Sequence, residues 1–318
     1  SAARVFTIHN LAYQGNFPPS LLPEIGVPWH FFRMEEGVEF YGSASFLKAG
    51  LALSDRLNTV SPRYAEEIQT PDQGAGFDGL LRHRSADLRG ILNGIDTEVW
   101  NPATDSAISA RYDADHVRRK DKNRDALLHE LGLDGRGPLF VMVSRLVHQK
   151  GIDLVLAALP ELLHRGVRLA VLGNGERRFE RALGEAAAEH PRRVAAFFRF
   201  DDGLARRMYS GADFFLMPSL YEPCGLGQMI AQRYGTPPVV RHTGGLVDTV
   251  QDGVNGFAFR PATVEALIDC VERACSVWRT PEWDALRRRC MLEDRSWDRS
   301  AAEYEALYGE AIESRRGR

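Results

Sequence analysis

Three groups of residues in this chain have the types and spacing to act on a phosphorylated molecule. Glu222 lies in a turn between an apolar run, Phe214–Met217 closed by Pro218, and a helical stretch expected at about 226–234. Thr243, Gly244 and Gly245 form a second turn, between the apolar run at 238–240 and another helix start. Arg145 and Lys150 follow a further apolar run, Leu139–Val143, across a loop that ends in Gly151. A glycine-rich turn at a helix start presents backbone N–H groups and the positive end of the helix dipole, which suits a phosphate. A guanidinium can hold phosphate oxygens bidentately, an ammonium adds a point charge, and a carboxylate can stabilise positive charge that develops opposite them. Taken singly, each has a commoner explanation: a solvated loop carboxylate, a plain turn, and two solvated loop cations.

The elements that must position these groups read as strand, loop, helix in succession, the grammar of a parallel α/β sheet. Such sheets bind ligands outside the carboxyl ends of their strands, so the loops of Glu222 and of Thr243 to Gly245 are expected to open onto one crevice. A helix is expected over 151–163, with apolar residues at 152, 155, 156, 159 and 163 giving one buried face. Strands are expected at 169–172, running into Gly173, Asn174 and Gly175, and at 194–200. Earlier in the chain come a strand at Val5–Ile8, a loop broken by Pro18, Pro19, Pro23 and Pro28, and a helix ending near Ser54. Ser61 and Pro62 read as an N-cap with proline in the first helical turn. Arg-rich helices close the chain, with Trp278, Trp283 and Trp297 as anchors. The organisation expected is a first domain over 1–100, a second over 101–290, and a terminal helix over 291–318 that crosses back to the first.

Composition narrows the partners. Lys and Arg number 40 against 43 Asp and Glu, a net charge of −3, so no general electrostatic attraction to nucleic acid or to an anionic membrane is expected. No apolar run approaches the ~18 residues of a membrane span. Small molecules or a neutral polymer remain. Cys224, Cys270, Cys275 and Cys290 show neither paired nor metal-ligand spacing, which points to a reducing, cytoplasmic compartment and no metal. The strand at Val5–Ile8 comes so early that it is expected to lack sheet partners and to leave an exposed apolar edge. The sequence reads as the C-terminal part of a longer protein.

Six ordered motifs add a resemblance that covers nearly the whole chain: TIHNLAYQG at 7–15, SFLKAGL at 45–51, TVSPRYAEEI at 59–68, ILNGIDTEVWNP at 91–102, VSRLVHQKGIDL at 143–154, and YEPCGLGQ with RYGTPPVVRHTGGLVDTV at 221–250. Together they resemble the bacterial and plant type of glycogen and starch synthases, retaining glucosyltransferases that use ADP-glucose. The resemblance implies two facing Rossmann-like domains of the GT-B type, the first incomplete here, and elongation of an α-1,4-glucan acceptor with no cofactor and no metal. It implies that Arg145 and Lys150 contact the donor diphosphate, that Glu222 is the essential acidic residue, and that His9 and Asn10 meet the donor sugar from the other domain. Cys224, Gly225 and Leu226 would lie on the substrate side, with Cys224 packing rather than acting as a nucleophile. Thr243, Gly244 and Gly245 would hold the diphosphate, Gly173 would lie near the nucleoside, and Phe200 near the base.

Departures from the family pattern qualify this. Related retaining transferases carry a second Glu eight positions after the first, where this chain has Ile230. With no paired carboxylate, front-face retention is expected, the leaving phosphate helping to deprotonate the acceptor. Arg199 stands in place of a glycine beside Phe200. The family's first-domain loop, a Lys followed by Thr or Ser, Gly, Gly and Leu, is missing, so the chain alone is expected to bind ADP without turnover. A non-catalytic nucleotide- or glucan-binding fragment and a different sugar-nucleotide enzyme of the same fold are the alternatives.

Overall fold

Uninterrupted apolar runs build the larger of the sheets. A parallel strand covered by helices on both faces has no solvent side, so it is apolar throughout rather than alternating. The computed structural model describes residues 2–317, in two units: residues up to Asn93 together with those from Trp297 onward, and Gly94–Ser296.

The first unit holds β1 (Val5–Ile8), β2 (Asn16–Phe17), β3 (Glu39–Phe40), β4 (Ser43–Ser45), β5 (Arg56–Thr59) and β6 (Leu88–Gly90). β1, expected to stand alone, pairs in parallel with β5, in register Val5 to Arg56 through Ile8 to Thr59. The three-stranded order is β1-β5-β6. The expected lack of a partner failed because the partner strand follows β1 in sequence, across the helix Phe46–Leu53, while β1 does stand at the edge of this sheet as expected. Parallel pairing requires such a crossover. Ser61 caps the helix Pro62–Glu67 as expected, its hydroxyl accepting from the Tyr64 N–H at 3.1 Å. The helix Trp297–Arg316 belongs with this unit, Tyr304 accepting from Asn58 Nδ2 at 3.1 Å and Ser300 Oγ donating to the Leu92 carbonyl at 2.5 Å. Trp297 is 46% exposed, whereas Trp283 is buried in the core of the other unit.

The second unit is one six-stranded parallel sheet of β7 (Leu139–Val143), β8 (Arg168–Leu172), β9 (Val194–Phe197), β10 (Phe214–Met217), β11 (Pro238–Arg241) and β12 (Phe257–Phe259). Its order is β12-β11-β10-β7-β8-β9, the doubly wound arrangement in which the chain moves outward from β7 in one direction and then from β10 in the other. The helix Ile152–His164 buries Ile152, Val155, Leu159 and Leu163 as the spacing predicts. Leu154, Ala158 and Leu162 widen that face, because the helix also packs against Val264–Val277. Each such side chain contributes about 1.5–3 kcal/mol on burial. β9 stops at Phe197, short of the expected 200, because Asp201 turns the chain by capping the helix Asp202–Gly211 through the Leu204 N–H.

Candidate active site

The crevice of a doubly wound sheet opens where the strand order reverses, since the loops leaving the two central strands turn to opposite faces. Here those strands are β7 and β10. The loop after β7 carries Arg145 and Lys150; the loop after β10 carries Glu222. All three line a cavity of about 220 Å³, floored by the strand ends Met142, Val143 and Phe215–Met217 and bounded by Gly225, Leu226 and Gly227. Residues 72 apart in sequence meet inside it: Lys150 Nζ lies 2.5 Å from Glu222 Oε2. The Lys150 side chain is only 13% exposed and that of Glu222 8%. Taken singly Lys150 reads as a solvated loop cation; tertiary structure pairs it instead, because a nearly buried ammonium needs an anion beside it.

The loops are stapled together through their backbones. The Leu220 N–H donates to the Gln149 carbonyl at 2.8 Å, and Gln149 Nε2 donates to the Tyr221 carbonyl at 3.0 Å. Gly151 has φ +70°, and a Cβ there would stand 2.2 Å from the Pro218 carbonyl oxygen, so the two loops touch through bare backbone. On the other side, Arg241 Nε donates to the Ser219 carbonyl at 2.9 Å and its Nη2 to that of Leu220.

The turn at Thr243 to Gly245 packs against the loop of Glu222. It does not line the cavity, whose walls come from β7 and β10 rather than from β10 and β11. The Gly245 N–H, expected to face a phosphate, donates to the Glu222 carbonyl at 3.0 Å, and the Leu246 and Val247 N–H groups donate back to Thr243 and Gly244. A helix of five residues, Gly245–Thr249, follows. The turn is first a buttress for Glu222. Gly244 makes this possible: at φ 46° and ψ −138°, a Cβ would sit 1.9 Å from the Glu222 carbonyl oxygen. Gly244→Ala is therefore expected to push the Glu222 loop outward, costing about 3 kcal/mol of stability and roughly tenfold in turnover. Thermal unfolding and steady-state rates check this, and an unchanged Tm would refute the buttress.

Cys224 is buried, and Gln228 Nε2 donates to its carbonyl at 3.1 Å, consistent with packing. Ile230 is buried in the helix Gly227–Arg233. Gly173 ends β8, donating to the Phe197 carbonyl at 3.0 Å beside the loop of Ser144. Phe200 stands 90% exposed beyond β9. Arg199 pairs with the helix cap Asp201 at 2.9 Å; the capped Leu204 N–H, together with this guanidinium, holds the Asp201 carboxyl below its usual range. His9 and Asn10 belong to the first unit, where His9 is exposed after β1 and Asn10 Oδ1 accepts from the Ala12 N–H at 2.9 Å. All four cysteines are free thiols, and burial pushes Cys270 and Cys275 up to about 12, leaving both protonated and unreactive.

Sequence reasoning missed Ser219, Gln149 and Arg241. Gln149 and Arg241 stand inside the quoted motifs, and Ser219 offered a signal of its own, a hydroxyl three residues before the acid, a spacing that permits local hydrogen bonding.

Comparison with known proteins agrees with this architecture. Residues 1–83 match the family described as starch synthase catalytic domain, and residues 123–285 match glycosyl transferases group 1. The chain is 54% identical to a glycogen synthase of Anaeromyxobacter dehalogenans over 315 residues, 96% of this chain and 66% of that protein. It is 49% identical to a glycogen synthase of Myxococcus xanthus, covering 98% of this chain and again 66% of the relative. The chain thus spans about two thirds of the length of the curated relatives it matches. Among solved structures, the catalytic domain of starch synthase IV from Arabidopsis thaliana, bound to ADP and acarbose, superposes with a TM-score of 0.93 at 34% identity, covering 98% of this chain and 68% of that one.

A doubly wound unit with a cation and a carboxylate at its switch point, carried with a first unit built on a three-stranded parallel sheet, belongs to a glycosyltransferase of the GT-B class. More narrowly, the chain belongs to the starch and glycogen synthase family.

Proposed function

We propose that this chain carries catalytic machinery for the transfer of glucose from ADP-glucose to a hydroxyl of an α-1,4-glucan, with retention of configuration. The Lys150–Glu222 pair at the β7/β10 crevice supports this most directly. The glycogen synthase relatives and the starch synthase IV bound to ADP and acarbose point the same way.

In this reading the bond from the sugar's anomeric carbon to the diphosphate breaks, and its electron pair leaves with ADP. Arg145 holds diphosphate oxygens through its planar fork and Lys150 adds a point charge, so negative charge develops where fixed positive charge already stands. Glu222 faces the opposite charge, the positive character on the sugar ring, and accepts from sugar hydroxyls. The acceptor oxygen attacks from the face that the diphosphate leaves and passes its proton to the departing phosphate oxygen. Ile230 fits this route, since no second carboxylate occupies the position of a covalent nucleophile. No cofactor or metal enters the scheme, because Arg145 and Lys150 carry the charge on the leaving group. The free thiols fit a reducing cytoplasm, which we propose as the compartment.

The test is incorporation of labelled glucose from ADP-glucose into glycogen by the full-length protein. Label that an exo-acting α-1,4-glucosidase releases is the expected result. Release of ADP without incorporation, or a β-linked product, would overturn the proposal.

A further inference from the structure

Glu222 is gripped through one oxygen. Lys150 Nζ at 2.5 Å and Ser219 Oγ at 3.0 Å both meet Oε2, and none of the described hydrogen bonds goes to Oε1 of this cavity-lining residue. The two donors differ in freedom. Lys150 sits at the end of a flexible stem on the cavity wall. Ser219 also lines the cavity, but it is inaccessible to solvent, its side chain is short, and its carbonyl is held by Arg241 Nε at 2.9 Å.

This asymmetry matters once a diphosphate competes for the ammonium. A single point charge cannot serve the carboxylate and the leaving oxygens equally, and as charge builds on the phosphate Lys150 is drawn toward it. Glu222, with its side chain nine-tenths buried, would then keep one side-chain donor from the protein. A carboxylate left with no donor in such a place is costly and free to swing, whereas a hydroxyl-to-carboxylate bond is charge-assisted and directional.

We infer that Ser219 is a positioning residue for glucosyl transfer: its hydroxyl holds Glu222 by Oε2 and keeps Oε1 available to the sugar while Lys150 serves the leaving diphosphate. The inference rests on the glucosyltransferase reading given above. It assigns Ser219 no contact with substrate and no proton transfer.

The test compares Ser219→Ala, Ser219→Cys and Ser219→Thr in the full-length protein, with kcat, KM for ADP-glucose and calorimetric ADP affinity measured for each. Alanine removes the donor, cysteine keeps the shape with a weak donor, and threonine keeps the hydroxyl. The alanine and cysteine variants are expected to lose about tenfold in kcat, as for one charge-assisted hydrogen bond, with KM and ADP affinity within about twofold of wild type. Threonine is expected to recover most of the lost rate. Wild-type kcat in both the alanine and cysteine variants would overturn the inference, as would a parallel loss of ADP affinity or a threonine variant no better than alanine. Should alanine fail to fold, the cysteine and threonine pair decides the question by the same split. An inactive wild-type protein would instead count against the glucosyltransferase reading, so the two failures are separable.

Discussion

Glu222→Gln in the full-length protein is expected to lower kcat roughly a thousandfold while KM for ADP-glucose stays within about threefold. Glutamine matches glutamate in shape. Its amide oxygen can still accept from Ser219 Oγ and Lys150 Nζ, so the loop held by Gln149, Arg241 and Gly245 should keep its place. What disappears is the negative charge, whose value is greatest when the sugar ring becomes cationic and small in the ground state. The loss should therefore fall on turnover, and Tm should move by no more than a few degrees. If KM rises alone and kcat is intact, Glu222 is a binding group and the transition-state role assigned to it is wrong.

Lys150→Ala is expected to cost about 10²- to 10³-fold in turnover, the usual consequence of deleting one preorganised charge at a leaving group. Unlike Glu222→Gln, it should also weaken ADP binding, because the ammonium meets a diphosphate that is already charged before reaction. The pairing with Glu222 adds a stability effect. Removing the cation leaves a nearly buried carboxylate with Ser219 as its remaining side-chain donor, at a cost of about 2 kcal/mol. The double variant Lys150→Ala/Glu222→Gln should regain most of that stability without regaining activity. Lys150→Arg should recover little, since a planar fork cannot occupy the position of a point charge 2.5 Å from Oε2. Retention of more than a third of wild-type kcat by Lys150→Ala would remove this residue from the mechanism.

Much of the second unit was legible as a string of local patterns. The strands β7, β8, β10 and β11 are apolar runs punctuated by glycine or proline, and the loops after β7 and β10 display the residues that line the cavity. Local signals failed wherever a partner lay far off in sequence. Nothing near Val5 announces that β1 pairs with β5, and nothing near Thr243 announces that the Gly245 N–H is taken by Glu222. The short β9 and the half-exposed Trp297 are smaller failures of other kinds. In the first, a local cap at Asp201 overrode apolar character; in the second, a large side chain at a helix start stayed about half exposed.

The sequence by itself determined the α/β class, the family, and the identities of Arg145, Lys150 and Glu222 as candidates, because side-chain chemistry and strand-loop-helix grammar are written over a few residues at a time. Tertiary structure alone decided which of these meet. Strand order β12-β11-β10-β7-β8-β9 put β7 beside β10 and so opened the crevice between their loops. That order follows from long-range burial of apolar faces, which no short motif encodes. From it came the 2.5 Å contact of Lys150 with Glu222, the place of Ser219 on the same oxygen, and the need for a bare backbone at Gly244.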